Sequence, residues 1–345
     1  MKALLKKEPG KGFTLENVEE PVIKNSDDVK IKILRTSICG TDVHIYEWNK
    51  WAEERIKTPQ IGGHEFVGEV IEVGDNVKGL VPGDIVASET HIPCKVCYQC
   101  KTGNMHVCKD MQILGVDRDG VFAEYAVVPE IVLWKLDESI PLKYASVMEP
   151  LGNAIHTATA TDLRAKHVLI TGAGPIGAMA IQVAKASGAA TIIVSEVSEY
   201  RINMAKEVGA DLVINPSKEN LYEKVMEFTG NHGADVLLEM SGNVTALNDG
   251  IKSVRNAGFV SILGVYNEEK IPFAMNTAVF KNLTIQAITG RKMFETWHIA
   301  TQWLKYNRIN IDKIVTHEIK MEDFEKGFEL MMSGKSGKIV MKVSE

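Results

Sequence analysis

The second half of the chain alternates short apolar segments with segments of helical spacing, and this alternation constrains the fold more than any other feature. The apolar runs 167–171 and 191–195 are each followed by a stretch, 175–187 and 200–208, with apolar residues at helical spacing. Strands that are apolar on both faces and separated by helices form a parallel sheet covered on both sides. The sequence therefore predicts a doubly wound α/β domain over residues 151–290.

A glycine-rich turn joins the first strand of this domain to its first helix. Its pattern is GxGxxG, with Gly172, Gly174 and Gly177, and the pattern alone is weak because glycine-rich turns are common. Its position after a strand and before a helix strengthens it, since the missing Cβ atoms let the backbone approach a pyrophosphate at the helix N-terminus. The motif predicts a dinucleotide site, and a turn without a ligand is the alternative.

Glu196 ends the second strand, at about the distance from the glycines at which such domains place the acid that binds the adenosine ribose. A carboxylate there accepts hydrogen bonds from a ribose diol and repels a 2′-phosphate, which favours NAD over NADP. Arg201, five residues later, could contact the ribose or tolerate a 2′-phosphate. Simple surface exposure is the alternative interpretation of both residues.

The first part of the chain has a different pattern. Residues 29–33 alternate between apolar and polar, residues 66–73 are rich in valine, and residues 123–128 follow a glycine. These features predict a β-rich domain over residues 1–150. The tail, residues 291–345, contains two segments of helical spacing and a closing strand at 338–343, and we expect it to return to the first domain.

Four of the five cysteines lie within fifteen residues, and they predict a metal site. The set is Cys94, Cys97, Cys100 and Cys108. Four thiolates form the closed tetrahedral shell of a structural zinc. An iron–sulfur cluster also takes four thiolates, and four reduced core cysteines are the remaining alternative, which the polar residues between them disfavour.

A second candidate metal site combines three different side chains. Cys39, His64 and Glu65 come from nearby segments of the β-rich region. Each alone is more often a packed core residue than a ligand. Together they supply the thiolate, imidazole and carboxylate that an open catalytic zinc site needs.

Composition excludes several classes of protein. With 345 residues the chain is long enough for two domains, and 45% hydrophobic with 24% charged residues is typical of a globular protein. A formal net charge of −6 gives no global basic field for a nucleic acid. The lysine-rich start is too short in apolar residues for a signal segment and no long apolar run follows, so we expect a cytoplasmic protein without membrane spans.

Several motifs together resemble the zinc-dependent medium-chain dehydrogenase family. They are Cys-Gly-Thr-Asp-Val-His-Ile-Tyr at 39–46, Gly-His-Glu at 63–65, Glu-Pro-Leu-Gly-Asn-Ala at 149–154 and Gly-Arg-Lys-Met-Phe-Glu-Thr-Trp at 290–297. The resemblance spans nearly the whole chain. It implies a GroES-like catalytic domain followed by a Rossmann domain, one catalytic and one structural zinc, NAD as cofactor and a homotetramer.

The resemblance also implies roles for individual residues. The catalytic zinc would bind Cys39, His64 and Glu65, with Glu149 either a fourth ligand or one water away. Thr41 would hold a hydrogen bond to the substrate oxygen, and His44 would pass the proton to solvent; a turn hydroxyl and a surface imidazole are the alternatives. Beyond the glycines, Glu196 and Arg201, the cofactor would be lined by Ile176, Leu263, Gly264, Val265, Ile288 and Thr289.

Within the family, these motifs are most similar to members that oxidise the 3-hydroxyl of L-threonine to 2-amino-3-oxobutanoate. A polyol or other secondary-alcohol dehydrogenase is the nearest alternative, and a zinc-ribbon nucleic-acid binder and a non-catalytic NAD-binding protein are more distant. The residues that could shape a substrate pocket are His91, Trp48, Trp51 and Arg291. For the two tryptophans, packing or an interface is the favoured interpretation.

Overall fold

The computed structural model describes residues 1–344, which divide into two compact units. The first unit contains Met1–Pro150, Lys292–Thr301 and the residues from Val315 to Ser344. The second contains Leu151–Arg291 and Gln302–Ile314. The tail expected to return whole to the first domain is therefore divided, because residues 302–314 belong to the second unit.

The second unit is built on a six-stranded parallel sheet. Its strands are β11 (His167–Thr171), β12 (Thr191–Ser195), β13 (Leu212–Ile214), β14 (Ala234–Glu239), β15 (Val254–Ile262) and β16 (Thr284–Ala287). Its helices are α6 (Pro175–Ala186), α7 (Glu199–Glu207), α8 (Leu221–Phe228), α9 (Val244–Ser253) and α10 (Met275–Phe280). The order β13-β12-β11-β14-β15-β16 is that of a dinucleotide-binding doubly wound fold, which confirms the predicted fold class.

The inner strands of this sheet are buried because their side chains are apolar on both faces. Residues 168–170 of β11 and 236–238 of β14 have no exposed surface. Leu169, Leu237 and Val260 pack with apolar residues of α8 and α9 in one core cluster. Pro175 starts α6, where its lack of an N–H costs no hydrogen bond, directly after Gly174 at the N-cap. This sheet fixes the loops that follow its carboxyl ends.

The first unit is β-rich, as predicted. Its strands are β1 (Lys2–Lys6), β2 (Thr14–Asn17), β3 (Asp28–Ser37), β4 (Gln60–Ile61), β5 (Glu65–Val73), β6 (Ile85–Ser88), β7 (His91–Ile92), β8 (Gln112–Ile113), β9 (Tyr125–Pro129), β10 (Leu133–Lys135), β17 (Val315–Lys320) and β18 (Lys338–Lys342). Its helices are α1 (Gly40–Glu47), α2 (Lys50–Arg55), α3 (Tyr98–Lys101), α4 (Leu142–Ala145) and α12 (Phe324–Met332). Helices α5 (Met148–Ala158) and α11 (Glu295–Lys305) contain points where the chain passes between units, and single 3₁₀ turns lie at Met105–Val107, Glu130–Val132 and Met321–Asp323.

Strand β3 organises the main sheet of the first unit. The seven-stranded sheet runs β10-β6-β5-β3-β18-β17, with β9 also paired to β3. Strands β18 and β3 are antiparallel, with Val340 opposite Ser37, although about three hundred residues separate them in the chain. Among residues 1–344, no helix is long and apolar enough to span a bilayer.

Candidate metal centres and nucleotide site

The mixed metal site is formed where two segments of the first unit meet. Cys39 is the N-cap residue of α1, Glu65 is the first residue of β5, and His64 directly precedes it. One ligand atom from each of the three lies within 4.8 Å of the others. His64 is 5% exposed and Glu65 is fully buried. A thiolate, an imidazole and a carboxylate are three protein ligands, the number that a catalytic zinc site has when its fourth position is left for substrate.

The two oxygens of Glu65 have different surroundings. Oε2 accepts hydrogen bonds from the hydroxyl of Ser37 and the ammonium of Lys338. Oε1 is buried and has no hydrogen-bond partner among residues 1–344. A buried oxygen without a donor is costly unless a cation binds it, so Oε1 is the oxygen suited to a metal.

Lys338 is buried beside this site, and sequence reasoning did not single it out. Its ammonium also donates to the backbone oxygen of Ile38 at 2.8 Å, and the residue is 3% exposed. Burial lowers the pKa of Lys338, but the charges of Glu65 and Cys39 outweigh it and raise this pKa above its ordinary value. Glu149 is a further negative group that acts on Lys338. Lys338 therefore balances the negative charge of the ligands.

Asp42 supports the other side of the mixed site. Its carboxylate accepts a hydrogen bond from the backbone N–H of Cys39 at 2.8 Å and lies 3.6 Å from Nδ1 of His64. Burial lowers the pKa of His64, but Asp42 and the Cys39 thiolate raise it well above its ordinary value. A proton on His64 therefore competes with any metal for the site.

The residues predicted to surround the mixed site lie at different distances from it. Thr41 Oγ1 is 3.9 Å from the sulfur of Cys39, so this hydroxyl is next to the ligands. His44 lies further along α1 on its exposed face. Glu149, in the first turn of α5, is 6% exposed, but it is not one of the three residues that converge within 4.8 Å.

The residues expected to shape a substrate pocket have partners of their own. The ring of Trp48 lies 4.9 Å from the ammonium of Lys6, whereas Trp51 is 41% exposed. Nδ1 of His91 is 4.0 Å from the buried carboxylate of Glu89.

A buried tryptophan and a buried arginine complete this description. The indole of Trp297, 1% exposed, donates to Glu89 at 3.0 Å. Arg291, 2% exposed, donates to the side chain of Asn153 at 3.3 Å within the second unit.

The four clustered cysteines form a compact sulfur site. Their sulfurs lie within 4.8 Å of one another, and Cys97 Sγ is 3.5 Å from that of Cys100 and 3.8 Å from that of Cys108. A tetrahedral zinc with Zn–S bonds of about 2.3 Å places its sulfurs about 3.8 Å apart. The backbone N–H groups of Cys94 and Cys97 point at sulfurs of the set. The spacing fits a closed thiolate shell.

Three thiols of this set, those of Cys97, Cys100 and Cys108, have shifted pKa values. The backbone N–H groups of Cys100 and Lys109 lower the pKa of Cys97 to about 6. Burial raises the pKa of Cys100 to about 12 and also raises that of Cys108. Burial therefore disfavours the thiolate forms of Cys100 and Cys108, and a bound metal ion would favour them.

The three glycines of the nucleotide motif have three separate roles. Gly172 has a φ of +86°, and a Cβ there would lie 2.9 Å from Ser241. A Cβ on Gly177 would lie 2.0 Å from the backbone oxygen of Gly172. A Cβ on Gly174 would meet nothing within 4 Å. Gly174 therefore leaves open space at the N-terminus of α6, where a pyrophosphate fits.

Glu196 lies against this glycine turn. One oxygen accepts from the backbone N–H of Ala173 at 2.8 Å, and the other accepts from Val197 and Ser198 at 2.7 and 2.9 Å. The carboxylate is thus fixed beside the turn from 23 residues away along the chain. Arg201 lies in the first turn of α7, and its Nε is buried without a hydrogen-bond partner among the described residues.

All but one of the other predicted cofactor residues follow the carboxyl ends of β15 and β16. Leu263 N donates to the backbone oxygen of Glu239 at 3.0 Å, Val265 is 90% exposed, and Ile288 N donates to Ile262 at 2.8 Å. Gly264 is required because a Cβ there would lie 2.2 Å from a carboxylate oxygen of Glu239. Thr289 directly follows Ile288, and Ile176 lies in the first turn of α6.

Glu239 is a buried acid of this region that sequence reasoning missed. It is fully buried at the end of β14 and accepts hydrogen bonds from the backbone N–H groups of Ser241 and Gly242 at 2.8 and 3.2 Å, and from the hydroxyl of Tyr266 at 2.9 Å. Burial and the Glu239 charge raise the pKa of Tyr266. Glu239 therefore ties together the loops after β14 and β15.

Comparison with known proteins decides the family. Residues 25–138 match the model of the alcohol dehydrogenase GroES-like domain, and residues 175–306 match that of the zinc-binding dehydrogenases. The chain is 51% identical to an L-threonine 3-dehydrogenase of Pyrococcus horikoshii over 99% of its own length and 98% of the relative. The chain belongs to the zinc-dependent medium-chain dehydrogenase family. The predicted resemblance and fold class are thereby confirmed.

Other members of the zinc-dependent dehydrogenases are similar along the whole chain. An L-threonine 3-dehydrogenase of Bacillus licheniformis is 47% identical over 99% of this chain and 98% of its own length. The alcohol dehydrogenase TADH from Thermus sp. ATN1 superposes with a TM-score of 0.92 at 28% identity, covering 100% of both chains. The 2R,3R-butanediol dehydrogenase from Bacillus subtilis superposes with a TM-score of 0.89 at 30% identity, covering 99% of both. Members of this family are zinc- and nicotinamide-dependent dehydrogenases.

Proposed function

We propose that this protein oxidises the 3-hydroxyl of L-threonine to 2-amino-3-oxobutanoate and transfers the hydride to NAD. The observation that supports L-threonine as the substrate is a difference in sequence identity between two groups of similar proteins. Eight L-threonine 3-dehydrogenases are 45–52% identical over 99% of the chain, whereas structural neighbours with other names are 24–30% identical.

The residues of the first unit supply the proposed chemistry at the alcohol. Cys39, His64 and Glu65 Oε1 would hold the catalytic zinc. Glu149 would be a fourth ligand or would lie one water away. When bound, zinc acts as a Lewis acid that lowers the pKa of the substrate hydroxyl, and the nicotinamide accepts the hydride. The Thr41 hydroxyl, next to Cys39, would form a hydrogen bond with the substrate hydroxyl and receive its proton. His44 then passes that proton to water.

The second unit would hold the cofactor. The open space beside Gly174 and the free N–H groups of α6 suit the pyrophosphate. Glu196 is placed to accept from the adenosine ribose, which supports NAD over NADP, with Arg201 nearby. The loops tied by Glu239, which include Gly264 and Val265, would line the nicotinamide together with Ile288.

The cysteine set would hold a second, structural zinc in the lobe of residues 94–108. Its closed shell leaves no place for a substrate, so its proposed role is to stabilise the lobe. All five cysteines are free of disulfides. Reduced thiolates of this kind support the proposal of a cytoplasmic enzyme.

We also propose a homotetramer. Strand β16 is an edge strand of the six-stranded sheet, and apolar side chains of the same unit are exposed, including Val279 at 64% and Phe280 at 86%. Exposed sheet edges and apolar patches of this kind are surfaces for association. Light scattering of the purified chain measures the assembly, and Phe280→Asp is expected to reduce its mass.

Substrate profiling tests the proposed reaction. We expect kcat/KM with NAD to be at least tenfold higher for L-threonine than for sorbitol or 2,3-butanediol. A higher kcat/KM for sorbitol or for 2,3-butanediol would identify a polyol or other secondary-alcohol dehydrogenase instead. Replacing His44 by alanine should lower kcat by about 10² to 10⁴, the usual contribution of a positioned acid–base group, while zinc content and NAD affinity stay unchanged.

A further inference from the structure

We propose that Asn49 is a positioning residue of the proton relay, which holds His44 as the tautomer with its proton on Nε2. The proposal rests on the proposed function, because it concerns the residue assigned there to proton release. It begins from one contact, in which Nδ2 of Asn49 lies 2.9 Å from Nδ1 of His44.

The orientation of the Asn49 amide is fixed by a second contact. Asn49 is the N-cap residue of α2, and its Oδ1 accepts from the backbone N–H of Ala52 at 3.0 Å. Turning the amide over would place its NH₂ group against that N–H and leave the cap unmade. The group that faces His44 is therefore the NH₂ group, which can only donate.

A donor opposite Nδ1 determines where the imidazole proton lies. Nδ1 of His44 must present its lone pair, so the neutral ring carries its proton on Nε2. The imidazole makes no other side-chain hydrogen bond or ion pair among residues 1–344. It also lies edge to face against the ring of Trp51, with centroids 6.3 Å apart. No second side-chain hydrogen bond or ion pair of the ring therefore selects the other tautomer.

The consequence for the relay is an exchange of partners. Because Nε2 already carries a proton, the ring can accept one from the substrate side only at Nδ1. That step breaks the hydrogen bond from Asn49 and gives an imidazolium with a proton on each nitrogen. Loss of the Nδ1 proton to water restores the neutral ring and the hydrogen bond. Asn49 thus sets the resting state to which His44 returns after each turnover.

The chain offers a substitution that reverses this donor without removing the cap. Asn49→Asp keeps an oxygen for Ala52 N–H and presents an acceptor to His44, so we expect the proton to move to Nδ1. Asn49→Ser keeps a capping oxygen and removes the donor, so both tautomers should be populated. Asn220→Asp is the matched control, since Asn220 caps α8 through Glu223 N and lies in the other unit.

The experiment is ¹⁵N NMR of the zinc-loaded full chain with labelled histidine, in which His44→Gln identifies the His44 signals among the nine histidines. The proposal expects an unprotonated Nδ1 in the unmodified protein and in Asn220→Asp, and a protonated Nδ1 in Asn49→Asp. It also expects kcat to fall about tenfold in Asn49→Asp and less than threefold in Asn49→Ser. A protonated Nδ1 in the unmodified protein, or the same tautomer in Asn49→Asp, would overturn it.

The tautomer is measured without substrate, so this test is separate from the choice of alcohol. If L-threonine proves a poor substrate, the rates are measured with the alcohol that is oxidised best, and the spectra still decide the role of Asn49. If L-threonine is oxidised and the tautomer is unchanged by Asn49→Asp, the positioning role alone is wrong.

Discussion

The ammonium of Lys338 and the carboxylate of Glu65 form an ion pair closed to solvent at the edge of the mixed metal site. Their side chains are 4% and 0% exposed. The lysine holds Oε2, and this leaves Oε1 of the same carboxylate for a metal. One oxygen of the Glu65 carboxylate thus binds the Lys338 ammonium, and the other is available to a metal ion.

Removing that lysine should destabilise the metal-free protein more than the zinc-loaded protein. Lys338→Met leaves a buried carboxylate without its ammonium, which costs about 3–5 kcal/mol of unfolding free energy, and a bound zinc would offset part of that cost. Urea unfolding with and without zinc measures both values. Lys342→Met is the control, because Lys342 forms an exposed pair with Glu318 at 3.7 Å and should cost less than about 1 kcal/mol. Equal losses in the two variants would contradict this role.

Zinc affinity of the mixed site should rise with pH. Zinc binds neutral imidazole, and Asp42 and Cys39 raise the pKa of His64, so a proton competes up to a higher pH than for an ordinary histidine. Competition with a chromophoric chelator between about pH 6 and pH 9 measures the slope. Asp42→Asn removes the main cause of the raised pKa and should flatten the dependence. An unchanged slope in that variant would refute the explanation.

The two metal sites should lose zinc at different rates. The closed shell of four sulfurs exchanges slowly, while the mixed site has three protein ligands and an open position. Mild chelation should therefore remove one zinc and all activity without unfolding. Cys39→Ser should lose the labile zinc and Cys97→Ser the slow one, by metal analysis of each variant. Loss of one zinc with full activity would show that the assignments are reversed.

Two alanine substitutions in the glycine turn should separate folding from cofactor binding. Gly177→Ala places a Cβ 2.0 Å from the backbone of Gly172 and should cost about 1–3 kcal/mol of stability. Gly174→Ala fills open space and should leave the melting temperature nearly unchanged while weakening NADH binding at least tenfold. Thermal unfolding and NADH fluorescence titration measure the two effects. Unweakened NADH binding by Gly174→Ala would place the pyrophosphate elsewhere.

Cofactor preference should depend on Glu196. Its charge disfavours a 2′-phosphate, so Glu196→Gln should reduce the ratio of kcat/KM for NAD over NADP by about 10- to 100-fold, equivalent to roughly 1–3 kcal/mol. Glu199→Gln is the control, because Glu199 pairs with Lys218 on the exposed start of α7. A ratio near one in the unmodified protein would remove the basis of this prediction.

The nucleotide half was highly predictable from sequence because its signals are local. The runs 167–171 and 191–195 are strands with those same limits, and Glu196 does lie against the glycine turn, as its spacing suggested. Helix α9 was missed because Val244–Ser253 contains Thr, Asn, Asp and Gly, which have low helix propensity, although Leu247 and Ile251 lie on one buried face. Residues of low helix propensity thus obscured a helix whose buried residues are regularly spaced.

The supporting residues of the mixed site could not be predicted in the same way. Lys338 belongs to an apolar strand and reaches Glu65 only because β18 pairs with β3. Asn49 would be read as a helix cap, which it is, while its second contact depends on the path of α1 into α2. Glu239 gives no signal beyond a strand-end acid. Contacts that depend on tertiary pairing leave no pattern in the neighbouring residues.

The return of β18 to β3 also sets an order of events during synthesis. After Arg291, only residues 302–314 are still needed to complete the nucleotide unit. The main sheet of the first unit, in contrast, is incomplete until residues 338–342 have emerged from the ribosome. Until then Glu65 has no ammonium partner, and the metal ligands on α1 and β5 stand beside an unfinished sheet. The unit that begins first is completed last, so a nascent chain carries its nucleotide fold before its catalytic metal site is closed.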